Sequence, residues 1–249
     1  MPVIESVGAP QEGRPWSGGG REDLAAAVRR LMTLTVTSVA PPDLMGETAR
    51  RAAELADALE AYVPEAGPVP RARFADHTVT AAEADTLAGA MPFDVIIGSC
   101  NPVALPVTIE FDPPRAIGHA VFTAAYEGAP GLVHGAALAG TFDIMLTAAN
   151  VIADGAGPTV NLAVRYRRPT LIGVPCLFES WVTETTERRT HSRGQLVQDG
   201  VVTVEATGEF VNMERARIAA MHRRDGPVEP TDRGPQSSAD RPVADGPEA

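Results

Sequence analysis

The sequence predicts an α+β fold: a curved antiparallel sheet wrapped around one long central helix, with a helical extension ahead of it. Three observations carry this. The apolar stretch that closes the segment from Gly128 to Asn150 is too long for a typical strand and reads as a helix. Strand-like runs flank it, two before and four after. That order lacks the strand–helix alternation of a doubly wound fold.

The central helix is the spine. A turn rich in glycine and proline (Gly128, Pro130, Gly131) leads into His134 and Gly135. At helical spacing, Leu138, Phe142, Met145 and Ala149 form an apolar stripe. The opposite face carries Ala136, Gly140, Asp143 and Thr147, a single carboxylate among small residues, so something can approach this face closely. Burying a carboxylate is costly unless it is paired, hydrogen-bonded or used, which makes Asp143 the candidate for chemistry.

The other elements follow in chain order. Residues 1–22 are a flexible lead-in ending near Gly18, Gly19 and Gly20. Residues 23–90 are a helical extension and linker. Leu24, Val28, Leu31 and Met32 mark one helix, and a second runs from about Asp43, as N-cap, to Val63, with prolines ending it. The pair is a lid, an arm onto a partner subunit or a separate hairpin. Residues 91–223 form the core domain. Val107–Phe111 and Ala116–Tyr126 are read as strands around a turn at Asp112 to Arg115. After the helix, Thr159–Arg168 alternates strictly, with Val160, Leu162, Val164 and Tyr166 on one side and Thr159, Asn161, Ala163, Arg165 and Arg167 on the other. Cys176–Glu187, His191–Gln198 and Val201–Val211 follow, the last two joined by the hairpin signal Asp199-Gly200. A short helix from about Met213 to Arg223 and a disordered tail over 224–249 complete the chain.

Composition narrows the function. The net charge is −11, which argues against nucleic acid as a partner. The chain has no lysine, so all 21 basic residues are arginine. Two cysteines, Cys100 and Cys176, make neither a metal-ligand spacing nor a disulfide framework, and a reducing cytoplasm is the expected location. No membrane-spanning helix, membrane insertion, secretory signal or metal site is predicted. The chain has no G-x-S-x-G elbow, phosphate-binding P-loop, H-E-x-x-H or paired-cysteine motif.

The segment V-H-G-A followed by Asp143, together with the strand T-V-N-L-A-V-R-Y-R-R-P from Thr159 to Pro169, resembles the hotdog-fold acyl-CoA thioesterases, in their phenylacetic-acid-degradation and Arthrobacter-type 4-hydroxybenzoyl-CoA branch. The resemblance covers about residues 91–212. It implies hydrolysis of an acyl-CoA to a free acid and coenzyme A, with no cofactor beyond the coenzyme A of the substrate. It further implies a homodimer or homotetramer with the active site between subunits. In the family, the glycine matching Gly135 polarises the thioester carbonyl through its backbone N–H. The acid matching Asp143 is nucleophile or general base. Thr159 matches a hydroxyl residue that holds the attacking water, and Thr147 matches a threonine supporting the acid in one branch. His134 belongs to the same motif, where a structural role at the helix start competes with a catalytic one.

Two positions depart from the family pattern. Ala136 replaces the second glycine of a usual His-Gly-Gly. Where some relatives place an Asn or Gln before the Gly/Pro turn, this chain reads Tyr126-Glu127-Gly128, so Glu127 takes that role or the role is absent. Arg165, Arg167, Arg168 and Arg189 belong to the main basic cluster, read either as a solvated sheet edge or as a phosphate site for coenzyme A. The alternative to an enzyme is a non-catalytic acyl-CoA-binding or assembly protein on the same fold. A hydratase is disfavoured because no histidine follows Asp143 before His191.

Overall fold

The computed structural model describes residues 20–63, 87–88, 91–155 and 157–213. The expected lead-in up to residue 19, the linker over 64–86, the short helix beyond Met213 and the tail over 224–249 lie outside the described residues.

Helix α1 (Arg21–Thr37) is followed by α2 (Pro42–Glu60). Strands β1 (Val107–Asp112) and β2 (Arg115–Ala120) precede the central helix α3 (Gly135–Ile152), and β3 (Thr159–Tyr166), β4 (Cys176–Thr185), β5 (Arg189–Gln198) and β6 (Val201–Val211) follow. The six strands form one sheet in the order β1-β2-β4-β5-β6-β3, every pairing antiparallel. Each of the six strands touches α3, so the sheet wraps around the helix.

The apolar stripe is the core. Leu138, Phe142, Met145 and Ala149 are buried, with Phe178 of β4 edge-on to Phe142 at a ring separation of 5.3 Å. Ile144, Leu146, Ala148 and Val151 are buried as well, so α3 is apolar nearly all round. By length and hydropathy alone α3 qualifies as a membrane span, against the expectation that no such run exists, yet its apolar surface is taken up largely by the chain itself. The small-residue face is also approached by the chain. A side chain at Gly140 would come within 2.7 Å of Ile96 Cδ1.

Three local readings change. The second strand ends at Ala120 rather than Tyr126, because its ladder partners run out: Ala120 pairs with the first residue of β1, Val107, and with the first residue of β4, Cys176. The chain then makes a 3₁₀ turn over Ala124–Tyr126. Asp43 is not the N-cap of α2; the helix starts on Pro42, whose missing N–H costs nothing in the first turn, and Asp43 lies just inside, where the helix dipole favours a negative charge. Strict alternation fails in β3. A bulge between Thr159 and Asn161 makes Val160 an extra residue, which returns Thr159 to the inward face shared by Leu162, Val164 and Tyr166. Register agrees. Thr159 stands opposite buried Phe210, and Tyr166 opposite buried Val204.

Helix α1 docks on the chain's own core domain. Ala25 is buried, Arg29 Nη1 donates to the Asn101 carbonyl at 2.6 Å, and Ser99 Oγ donates to Glu22 at 2.8 Å. None of the residues of α2 is buried.

Candidate active site

The start of α3 is held by its own sequence. His134 is the N-cap, in extended conformation, and its Nδ1 accepts from the Ala136 N–H at 3.0 Å. With Nδ1 accepting, the proton of the neutral imidazole lies on Nε2. The next amide, Ala137 N–H, donates to the His134 carbonyl at 3.0 Å. The Gly135 N–H has no hydrogen-bond partner among the described residues. It is one of the orphan donors of a helix start, where the dipole favours negative charge.

Gly135 lines a groove of ≈ 670 Å³. One wall is Glu127, Gly128, Ala129, Leu132, Val133, His134 and Leu138; the other is Tyr166, Arg167, Arg168, Pro169 and Thr170. The walls are tied where Val133 N–H donates to the Thr170 carbonyl at 2.9 Å and where the Tyr166 hydroxyl donates to the Gly135 carbonyl at 2.8 Å. Glu127 uses one carboxylate oxygen to accept from the Gly131 N–H at 2.5 Å, which braces the turn ahead of the helix.

Asp143 is partly buried further along α3 and does not line this groove. Its Oδ1 accepts from Thr159 Oγ1 at 2.9 Å, the contact that the bulge in β3 makes possible. Thr147 donates instead to the backbone carbonyl of Asp143 at 2.9 Å, an ordinary bond to the preceding helical turn. Eight residues at a 1.5 Å rise put Asp143 about 12 Å along the helix from Gly135. The predicted site residues therefore fall into two groups in one chain: His134 and Gly135 at the groove, and Asp143 with Thr159 two turns away.

The four arginines also separate. Arg167 and Arg168 line the groove, and Arg167 is paired with Glu205 at 2.6 Å. Arg165 stands opposite Glu205 on the outward face. Arg189 pairs with Glu209 at 2.8 Å at the other end of the sheet, near the strand end that bears Thr159. Arg168 has no ion pair among the described residues. Both cysteines are buried, and burial pushes the Cys176 thiol up to about 11 and raises that of Cys100, which disfavours the thiolate form. Tyr166 was not singled out from the sequence. A glycine at a helix start followed by a strand ending in an aromatic residue was the available signal, but nothing in the spacing said that the two meet.

No protein-family model and no curated protein matches the sequence. Solved structures do. A thioesterase superfamily protein is 27% identical, with a TM-score of 0.65, covering 80% of this chain and 94% of the other. Residues 91–249, even counted whole, fall short of that 80%, so the likeness takes in part of the chain before residue 91. The phenylacetic acid degradation protein PaaI of Thermus thermophilus, in a mutant form, is 20% identical at a TM-score of 0.41 over 44% of this chain and 95% of that one. The PaaI protein of E. coli is 18% identical at 0.42 over 53% and 88%. The chain has the hotdog fold, and its likeness is to the thioesterase superfamily.

Proposed function

We propose that the protein is an acyl-CoA thioesterase, hydrolysing a thioester to a free acid and coenzyme A. The observation that carries this is the Gly135 N–H: the cap arrangement satisfies its neighbours and leaves it without a partner among the described residues, on a residue that lines the groove. A donor held ready where negative charge develops stabilises the tetrahedral intermediate of acyl transfer. Asp143 is nucleophile or general base, and Thr159 orients it. Both groups must lie within about 3 Å of the reacting carbonyl or its water, which a separation of about 12 Å on one helix forbids. The working site is therefore built from Gly135 of one copy and Asp143 of a second. Arg168, on the groove rim without a carboxylate partner among the described residues, contacts the phosphates of coenzyme A.

A binding protein without turnover is the second reading. It is favoured by one observation: the side chain at the expected amide position, Glu127, is occupied with the Gly131 N–H. Thiol release from acetyl-, palmitoyl- and phenylacetyl-CoA distinguishes the two. Turnover of at least one supports the enzyme; tight binding of all without thiol release overturns it.

A further inference from the structure

The peptide unit joining Gly135 to Ala136 is gripped at both ends by side chains. His134 Nδ1 accepts from its N–H at 3.0 Å, and the Tyr166 hydroxyl donates to its carbonyl at 2.8 Å. Tyr166 reaches across from the last residue of the edge strand β3, although 52% of its surface is exposed. An exposed tyrosine gains little by ordering its ring over a helix start unless the contact does something. The position it covers is also constrained: a Cβ at Gly135 would lie 3.0 Å from the Tyr166 hydroxyl and 3.2 Å from its ring carbon Cζ. Gly135 does not have a positive φ, so space under Tyr166, rather than backbone conformation, favours glycine here.

We propose that Tyr166 is a positioning residue for the oxyanion donor, acting with His134 as a clamp on the Gly135–Ala136 peptide. Fixing that plane restrains ψ of Gly135. The plane that carries the unpartnered Gly135 N–H is held where the His134 carbonyl accepts from Ala137 and Leu138, so the clamp locks the second plane against the first and keeps the turn from tilting that N–H. The assignment rests on the thioesterase reading. Tyr166 itself neither donates a proton to the substrate nor touches the reacting carbon. It holds a donor whose contribution is felt mainly in the transition state, so its loss lowers kcat and leaves KM nearly unchanged.

Two measurements test this with the full-length chain. Tyr166→Phe removes only the hydroxyl. Its kcat on the best substrate of the panel is expected to fall about 10- to 100-fold with KM within about twofold, the scale of a misaimed donor. His134→Asn, which keeps a capping acceptor, is expected to retain more turnover than His134→Ala. An unchanged kcat for Tyr166→Phe, a change in KM alone, or His134→Asn as poor as His134→Ala overturns the clamp. The second measurement is the infrared C=O stretch of the ¹³C-carbonyl form of that substrate bound to Asp143→Asn. A downshift relative to solution that shrinks in Asp143→Asn/Tyr166→Phe supports the proposal. An equal downshift in both overturns the clamp and leaves the thioesterase reading standing. No downshift in either removes the Gly135 N–H as donor, and the clamp with it.

Discussion

Thr159 and Asp143 meet across the helix–sheet interface, Oγ1 to Oδ1 at 2.9 Å, only because β3 carries one extra residue at Val160. Without that bulge Thr159 would point away from the helix with Asn161. Asp143 would then be a partly buried carboxylate without its hydroxyl partner. A bulge that re-aims a side chain next to a candidate acid fits where bulges tend to occur.

Asp143→Asn is expected to lower kcat by about 100- to 10,000-fold, the usual range for loss of a general base. The amide oxygen still accepts from Thr159, so the melting temperature should stay close to wild type. Turnover and thermal unfolding measured on one preparation check this; near-normal turnover in the folded variant removes Asp143 from the chemistry. Thr159→Val should lower kcat by less, because the acid remains and only its orientation is lost.

Gly135→Ala should be destabilising through Tyr166. The added methyl would meet the hydroxyl at 3.0 Å and Cζ at 3.2 Å, so the ring must give by a few tenths of an ångström, which weakens its bond to the Gly135 carbonyl by up to about 1 kcal/mol. In a Tyr166→Phe background there is no such bond to weaken. Urea denaturation of the four proteins should therefore give a coupling energy of up to about 1 kcal/mol. Additive effects would mean that Tyr166 is not what the methyl meets.

Arg168→Ala is expected to raise KM for an acyl-CoA several-fold and to leave KM for the matching N-acetylcysteamine thioester unchanged, because the truncated substrate carries no phosphate. Equal losses on both substrates for Arg168→Ala would place it against the acyl part instead.

How far the sequence could be read depended on whether an outcome was local. The Asp199-Gly200 hairpin was legible because both residues take the left-handed conformation that a tight turn demands, φ 51° and 76°, and β6 spans Val201–Val211 as expected. The helix stripe was legible because its period is set by the backbone. The end of β2 was not, since a strand stops where its neighbours stop, and those neighbours lie elsewhere along the chain. The bulge at Val160 was invisible for the same reason: alternation in the sequence says nothing of which partner residue is skipped. The motif residues Gly135 and Asp143 and their spacing along one helix were legible, because both follow from the sequence and the helical rise; the groove at Gly135, the bond from Thr159 to Asp143 and the Tyr166 contact came only from the fold.

That separation leads to the last expectation. If each site takes Gly135 from one copy and Asp143 from the other, two inactive variants should repair each other. In a mixed dimer of Gly135→Val and Asp143→Asn, one site contains both defects and the other contains neither. The intact site should give up to half the wild-type rate per mixed dimer. Each variant is first shown to be folded, inactive and at least dimeric by circular dichroism, thiol release and light scattering. The two are then mixed under conditions that exchange subunits, and thiol release is followed over time. Activity rising from the background of either parent supports the composite site. No recovery, with mixed dimers demonstrated by mass spectrometry, means that Gly135 and Asp143 act within one chain or not on the same substrate. The assignment of the Gly135 N–H and the Asp143 carboxylate to one reaction would then be lost.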